Sequence, residues 1–254
     1  TYDGEPGKKV PLMLSATGYI PETWKTSIVL QGEVRIQHYF YPTTPKPIRT
    51  GIYRFVSNTP TVDLKEVLNQ TEASVAAQLF KYTCFAEVPS QTLQEDMKQA
   101  KLSIEKITVT GWRETPLKKT VDMIILGSVA KDEKGLLIET KFHTSSGKII
   151  LSHMTRAKAA SDISSAAKEI ANAVLERFPF EGTIVSSDGE RYQINLGKSG
   201  YRIAKGTDFV LMAPRLDEAG KVSAYRETGK LRVKKVEEGR SWTEVEELKF
   251  NETI

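Results

Sequence analysis

The chain is poor in the residues from which most catalytic and metal centres are built. Its 254 residues include one cysteine, Cys84, and three histidines, His38, His143 and His153. A single cysteine excludes an internal disulfide and every multi-cysteine metal site. Cys84 sits in the apolar stretch KYTCFAEV, which predicts a buried structural thiol and not a nucleophile. Aromatics make up only 8% of the chain, but apolar residues at 39%, with 17 glycines, keep it within the globular range and predict a buried core. No run reaches the roughly 18 apolar residues that a membrane helix needs. A dominant charge is lacking as well, since 36 basic and 32 acidic residues leave a net charge of +4. The signs are interleaved, as in KLRVKKVEEGR from Lys230 to Arg240, which predicts a solvated two-sign surface instead of the basic face of a nucleic-acid binder. The sequence opens TYDGEPGKKV, with neither an initiator methionine nor a signal peptide, and a processed product is expected.

What is present is an alternation of strands and helices. Residues 1–26 carry Gly, Pro, Thr and Lys without sustained periodicity and are expected to form an arm or linker. SIVLQGEVRIQHYF, from Ser27 to Phe40, alternates well enough for a bent strand or a strand pair broken near Gly32. A proline-rich connection leads to GIYRFVS (51–57), which predicts a buried strand. Asp63 and Glu66 make a D-x-x-E capping box. Leu64, Val67, Leu68, Thr71, Val75, Ala76 and Leu79 then fall on one face of a helix. FAEV (85–88) predicts a short strand ended by Pro89, with Ser90 capping a second helix. Residues 103–121 are expected to be irregular. VDMIILGSVA (121–130) predicts a central strand covered on both faces. GLLIETKFHTSSGKIILSHM predicts a hairpin with a two-residue turn at Ser146-Gly147. That register puts Ile138, Phe142, Ile149 and Leu151 on one face, to be covered by the helix DISSAAKEIANAVLERF that Pro179 stops.

After Pro179 the character changes. Five short strands in about 75 residues, separated by Gly, Asp and Pro turns, predict a small β-barrel of oligonucleotide-binding or SH3-like type. The predicted class is therefore α+β, with an arm over 1–26, an α/β domain over 27–178 and a small barrel over 179–254.

The search for chemistry is mostly negative. NLGKSG (195–200) looks like the end of a phosphate-binding loop, but the first glycine of G-x-x-x-x-G-K-[ST] is Tyr192 here. The residues that follow, YRIAKGTDFVLM, have no helical period to supply the N-terminus such a loop needs. On the hairpin register His143 pairs with Ile150 and His153 with Thr140, so the two point to opposite faces. His143 is expected on the surface and His153 at the edge of the core. Acid pairs such as Glu237-Glu238 and Glu246-Glu247 lie in hydrophilic turns or strand ends, and no G-x-S-x-G elbow is present. No catalytic, cofactor-binding or metal-ligating residue is predicted, and the chain is not expected to be an enzyme. The candidates for protein contact are Tyr39, Phe40 and Tyr41, clustered beside prolines, with Trp112 and Trp242; packing in a core or hinge is the other reading.

The first domain resembles the TolB N-terminal/CsgG-like family of bacterial envelope proteins over about residues 50–178. The residues that carry the resemblance are LFKYTCFAEVPS and VDMIILGSVAKDEKGLLIETKFHTSSGKIILS, with the helix from Asp162 to Phe178. FEGTIVSSDGERYQINLGKSGYRIAKGTDFVLMAP, through Gly182, Gly189, Gly197, Gly200 and Gly206, is similar to the C-terminal domain of the flagellar FlgT family. The resemblance implies a non-enzymatic protein of the bacterial periplasm or the periplasmic face of the outer membrane, without a cofactor. Its partners would be envelope or flagellar ring proteins, or further copies of itself in a ring. A CsgG-like secretion or penicillin-binding-protein-activator lipoprotein would share the first domain. A third alternative, binding of nucleic acid or glycan by the barrel, would use Tyr192, Lys198, Tyr201, Arg202 and Lys205.

Overall fold

The computed structural model describes residues 9–14, 22–27, 45–59, 63–188, 191–216 and 222–248, the first two segments by backbone alone. The chain divides into two compact units, one of residues 46–180 with 199–202, the other of residues 1–45, 181–198 and 203–254. Within the segment expected to form an arm, β1 (Lys9–Leu14) pairs antiparallel with β2 (Glu22–Ser27). The strand or strand pair expected over Ser27–Phe40 lies outside the described residues apart from Ser27, the last residue of β2.

The α/β unit begins with β3 (Ile48–Ile52) and β4 (Val56–Ser57). Where one buried strand over 51–57 is expected, the chain breaks at Tyr53–Phe55. Phe55 turns into the core at 1% exposure, leaving Val56 46% exposed. Helix α1 (Lys65–Leu79) follows without the expected Asp63–Glu66 capping box, since its cap position is Leu64 and Asp63 Oδ1 accepts from the Lys65 N–H at 3.0 Å instead. Its Leu64–Val75–Leu79 stripe is buried as the spacing requires. Then come β5 (Phe85–Val88) and α2 (Ser90–Gln99). Ser90 opens α2 and does not cap it, since the cap position is Pro89 and the Ser90 hydroxyl accepts from Gln94 instead. Residues 103–121 are not irregular throughout. Ser103 Oγ accepts from the Lys106 N–H at the start of the short helix α3 (Ile104–Val109), and a single 3₁₀ turn spans Pro116–Lys119. Six residues are too few for a helical period to show in sequence.

Strands β6 (Met123–Asp132), β7 (Gly135–Thr144) and β8 (Ile149–Ala157) complete the sheet, and α4 (Ile163–Arg177) closes the unit. The strand order is β5-β3-β6-β7-β8, with β4 continuing the pairing along β6. β3 lies parallel to both β5 and β6, whereas β6–β7 and β7–β8 are antiparallel. Alternate residues of β6 serve two cores. Met123, Ile125 and Val129 pack with α1 and α4, through Leu79, Ile170 and Val174, while Ile124 packs with Leu93, Met97, Ile107 and Trp112 on the other face. The unit is therefore three layers, helix–sheet–helix. Cys84 lies in the first core at 0% exposure, and burial pushes its thiol up to about 12.

The β7–β8 hairpin departs from a two-residue turn. The Gly147 N–H donates to Thr144 O at 2.9 Å and the Thr144 N–H to Lys148 O at 3.0 Å, with Gly147 at φ +80. That is a three-residue loop with its glycine in the left-handed position. Phe142 faces Leu151 and Thr140 faces His153 as expected, but a bulge then pairs His143 with Ile149. The extra residue turns Ile149 out to 51% exposure; His143, beside Ile124 on the face that α2 and α3 cover, is buried at 1%, the reverse of both expectations.

In the second unit, β9 (Ile184–Ser187), β10 (Arg191–Ile194), β11 (Asp208–Leu216), β12 (Val222–Val236) and β13 (Ser241–Leu248) are the five expected strands. They form an open antiparallel sheet ordered β11-β12-β13-β10-β9, not a closed barrel. Closure requires the first and last strands to pair; here they are a four-residue β9 and a nine-residue β11, each at an edge. One face buries Ile194, Leu196, Leu231 and Val233. The interleaved charges of Lys230–Arg240 lie along cross-strand pairs, Arg232 with Asp208 and Glu246, Lys230 with Glu247, and Lys234 with Glu244. Exposed pairs of this kind contribute about 0–1 kcal/mol each, so they set the character of the surface more than its stability.

Two outcomes test this architecture. An added Cβ on Gly127 of β6 would lie 2.2 Å from Phe55 Cε1. Gly127→Ala is expected to lower stability by about 1–3 kcal/mol through overpacking, and Phe55→Leu in the same chain to recover part of it, read as urea midpoints. The second concerns Arg49, which clamps the start of β6 to β3. Its guanidinium donates to both Asp122 oxygens, at 2.9 and 2.7 Å, and its N–H to Oδ2 at 3.0 Å. Burial works to raise the Asp122 carboxyl, but the side-chain and backbone hydrogen bonds from Arg49, and its charge, outweigh that and hold it below the ordinary 3.8. A depressed folded value stabilises the fold above the ordinary range and loses that contribution as pH falls through it. Asp122→Asn is expected to flatten the fall in unfolding free energy with pH below about 4.

Candidate functional site

Of the five residues proposed for protein contact, Trp112 and Trp242 lie among the described residues. Tyr39, Phe40 and Tyr41 lie outside the described residues. Trp112 is 0% exposed in the core between the sheet and α2–α3, and its Nε1–H donates to Val121 O at 3.0 Å. A buried indole with its polar atom satisfied is a packing anchor, so Trp112 is corrected from contact residue to core residue. Trp242 on β13 is half-buried, with the Arg191 guanidinium 5.8 Å from its ring centroid.

The alternative set for nucleic acid or glycan draws residues from both units. Tyr201 and Arg202 belong to the α/β unit, and Tyr192, Lys198 and Lys205 to the other. The Tyr201 ring packs edge-on to Phe180 at 5.1 Å within a cluster that includes Phe85 and Phe178. Burial, and the neighbouring Cys84, push its hydroxyl up to about 12. Arg202 donates to Asn172 Oδ1 at 2.6 Å. Base-stacking or sugar-stacking needs an open ring face, and Tyr201 is already packed.

NLGKSG resolves in the same way. A Cβ on Gly197 would sit 2.4 Å from Arg240 N and 2.5 Å from Glu238 O, so only glycine admits the β12–β13 turn this closely. The Lys198 N–H donates to Glu237 O at 3.0 Å. Gly200 holds φ +83, a left-handed conformation. Lys198 and Ser199 are exposed. A phosphate loop would need a helix N-terminus here, but Ser199 and Gly200 are both non-helical.

His143 Nδ1 lies 3.1 Å from Gly147 O, while its buried Nε2 has no hydrogen-bond partner. His153 does sit at the core edge. Its Nε2 is 3.3 Å from Glu169 Oε1, within ion-pair distance but without hydrogen-bond geometry, and Thr155 Oγ1 donates to Glu169 Oε2 at 2.7 Å. Among the described residues no three His, Cys, Asp or Glu side chains converge as a metal site.

Two features went unread in sequence. On the edge strand β11, Val210 and Met212 are 56% and 47% exposed, and Tyr225, opposite Pro214 on β12, is 63% exposed. All three stand on one face of the hairpin, since directly paired residues share a face and alternate residues recur on it. Lys230 and Glu227 stand opposite Val210 and Met212, so the apolar patch has a charged rim. The signal was the alternation V-x-M across from a tyrosine, legible only once the strand register was known. The other feature is a cavity of about 290 Å³ in the α/β unit, among Ile52 at the end of β3, Glu87 and Val88 at the end of β5, Ser90, and the α1 residues Glu72 and Ala76.

No family model and no curated protein matches the sequence. Solved structures do share parts of the fold. Lipoprotein GNA1162 from Neisseria meningitidis is similar over 50% of this chain and 99% of its own, at 18% identity and a TM-score of 0.35. The PelC dodecamer from Paraburkholderia phytofirmans is similar over 52% of this chain and 89% of its own, at 14% identity and a TM-score of 0.32. TolB from Acinetobacter baumannii is similar over 83% of this chain and 62% of its own, at 9% identity and a TM-score of 0.35. All three come from bacteria, and none of these likenesses sets what this chain binds. Among the described residues no helix is long and apolar enough to cross a membrane.

The two tryptophans separate core from surface. Trp112→Ala is expected to cost about 3–5 kcal/mol, as for other buried Trp→Ala changes. Trp242→Ala, half-exposed, is expected to cost clearly less. Urea denaturation of the two variants against the parent chain reads the difference.

Proposed function

We propose that the chain is a non-enzymatic protein of the bacterial envelope that works by protein contact, and that its working surface is the outer face of the β11–β12 hairpin. The observation that carries this is the patch of Val210, Met212 and Tyr225 on an edge hairpin, rimmed by Lys230 and Glu227. Apolar groups grouped on one face with charges around them are the usual anatomy of a contact surface. Among the described residues β11 has a partner strand on one side only, and its other side offers backbone donors and acceptors that a partner strand can use. The sequence resemblance supplies the setting, a TolB N-terminal/CsgG-like domain followed by a FlgT-like C-terminal unit. In its more specific form the reading is a FlgT-like component of a flagellar basal-body ring. The secretion or activator lipoprotein reading shares the α/β unit and differs in its partner.

Met212→Glu and Tyr225→Ala lie on an exposed face and are expected to shift stability by no more than about 0.5 kcal/mol. Co-purification of the tagged full chain from envelope fractions is expected to bring down a defined partner set with the parent sequence and to lose it with Met212→Glu. Unchanged co-purification with that variant, properly folded by circular dichroism, would remove the patch from the reading. For the flagellar form, deletion is expected to abolish motility while curli secretion and cell-wall synthesis continue. A motile deletion strain sinks it.

A further inference from the structure

The bonds from β12 fix which way each residue of β11 points its backbone. The Thr207 carbonyl accepts from the Val233 N–H, the Leu211 carbonyl from Thr228 Oγ1 and the Arg215 carbonyl from Ser223 Oγ. Odd-numbered residues therefore turn their polar backbone toward β12. The direction alternates along a strand, and both register shifts put the extra residue on β12, so the alternation in β11 is unbroken. Asp208, Val210 and Met212 thus aim N–H and C=O outward, and Pro214 a carbonyl only. Among the described residues no strand meets that side.

An edge with this pattern is complementary to itself. In an antiparallel pair of β11 strands about a two-fold axis through Leu211, Val210 stands opposite Met212 of the second copy and Asp208 opposite Pro214. Each of the three outward N–H groups then meets a carbonyl, and the donor that Pro214 lacks is missed only by the Asp208 carbonyl. The side chains agree, since directly opposite residues share a face. On one face the exposed Val210 and Met212 of both copies close into a single apolar cluster. On the other, Leu211 meets Leu211 and Phe209 meets Ala213, all half-buried in the single chain. Charge decides the register. Lys230 stands behind Val210 on β12 and Glu227 behind Met212. With the axis at Leu211, each apolar row crossing the junction runs from a lysine on one copy to a glutamate on the other. An axis one residue away, at Val210 or at Met212, ends its central row in two lysines or two glutamates.

We propose that the occupant of the β11 edge is a second copy of this chain, paired antiparallel about Leu211 so that two five-stranded sheets join as one. This pairing rests on the β11–β12 hairpin being the working surface and names what covers it. One strand pair is small beside the roughly 1,600 Å² of a standard interface, so a dissociation constant on the order of 10–100 µM is expected.

Sedimentation equilibrium of the full chain, at concentrations bracketing that range, is expected to show monomer and dimer. Met212→Glu sets a carboxylate against Val210 of the second copy and is expected to weaken the dimer about tenfold or more. Cysteine cross-linking reads the register. Leu211→Cys places two thiols across the axis in a non-hydrogen-bonded pair, with Cα atoms about 4.5 Å apart and within disulfide reach. Ala213→Cys leaves its two Cα atoms about 14 Å apart. Oxidation with copper–phenanthroline is expected to give a reducible dimer of the first variant and none of the second, with Cys84 enclosed at 0% exposure. A chain that stays monomeric, or equal cross-linking of both variants, overturns the pairing. A dimer that Met212→Glu leaves intact joins elsewhere and overturns it too. If the chain is monomeric and its co-purifying partners are still lost with Met212→Glu, the self-pairing falls and the contact surface stands.

Discussion

The α/β unit depends on β6 being buried on both faces. Met123 and Ile125 commit it to α1 and α4, and Ile124 to α2, α3 and Trp112. Each such side chain taken fully out of water is worth about 1.5–3 kcal/mol. A strand with apolar residues on both faces cannot be satisfied by one layer of helices. The second layer is thus required, although its helices α2 and α3 are short and mostly polar. The closeness of Phe55 to Gly127 and the clamp of Arg49 on Asp122 serve the same demand, since they hold β3 and β4 along β6 between the two helix layers.

Much of this architecture was legible because it rests on periodicity. The α1 stripe, the central position of VDMIILGSVA, the body of the β7–β8 hairpin and the five strands after Pro179 all follow from apolar spacing and turn residues. What was not legible has local causes. Residues 103–121 hide a helix too short to show a period, capped by one serine hydroxyl. The hairpin bulge depends on how Gly147 completes its turn, and one residue of register in β8 moves Ile149 out, while His143 is buried because the second helix layer covers its face beside Ile124. Barrel closure is a property of strand lengths and edges, which turn signals do not carry.

The candidate sites were less legible, because composition identifies residue types and not their neighbours. Trp112 and Trp242 are equivalent as letters, yet one is sealed in a core with its Nε1–H bonded and the other lies under a guanidinium. Tyr201 and Arg202 are adjacent to Lys198 in sequence, and the fold spends them on packing within the α/β unit. The β11–β12 patch needed cross-strand register before its three residues could be seen as one face. Glu72 and Glu87, which line the cavity, are 15 residues apart, on a helix and an edge strand, and only tertiary structure brings them to one space.

Cys84 gives the α/β unit a built-in clock. Its thiol is fully enclosed and held almost wholly protonated at neutral pH, so a thiol-directed reagent finds no nucleophile while the core stays closed. With no second cysteine to compete, each labelled molecule records one excursion of that core into solvent. The rate of modification in native buffer therefore counts how often the aromatic cluster around Phe85 and the α1 stripe come apart.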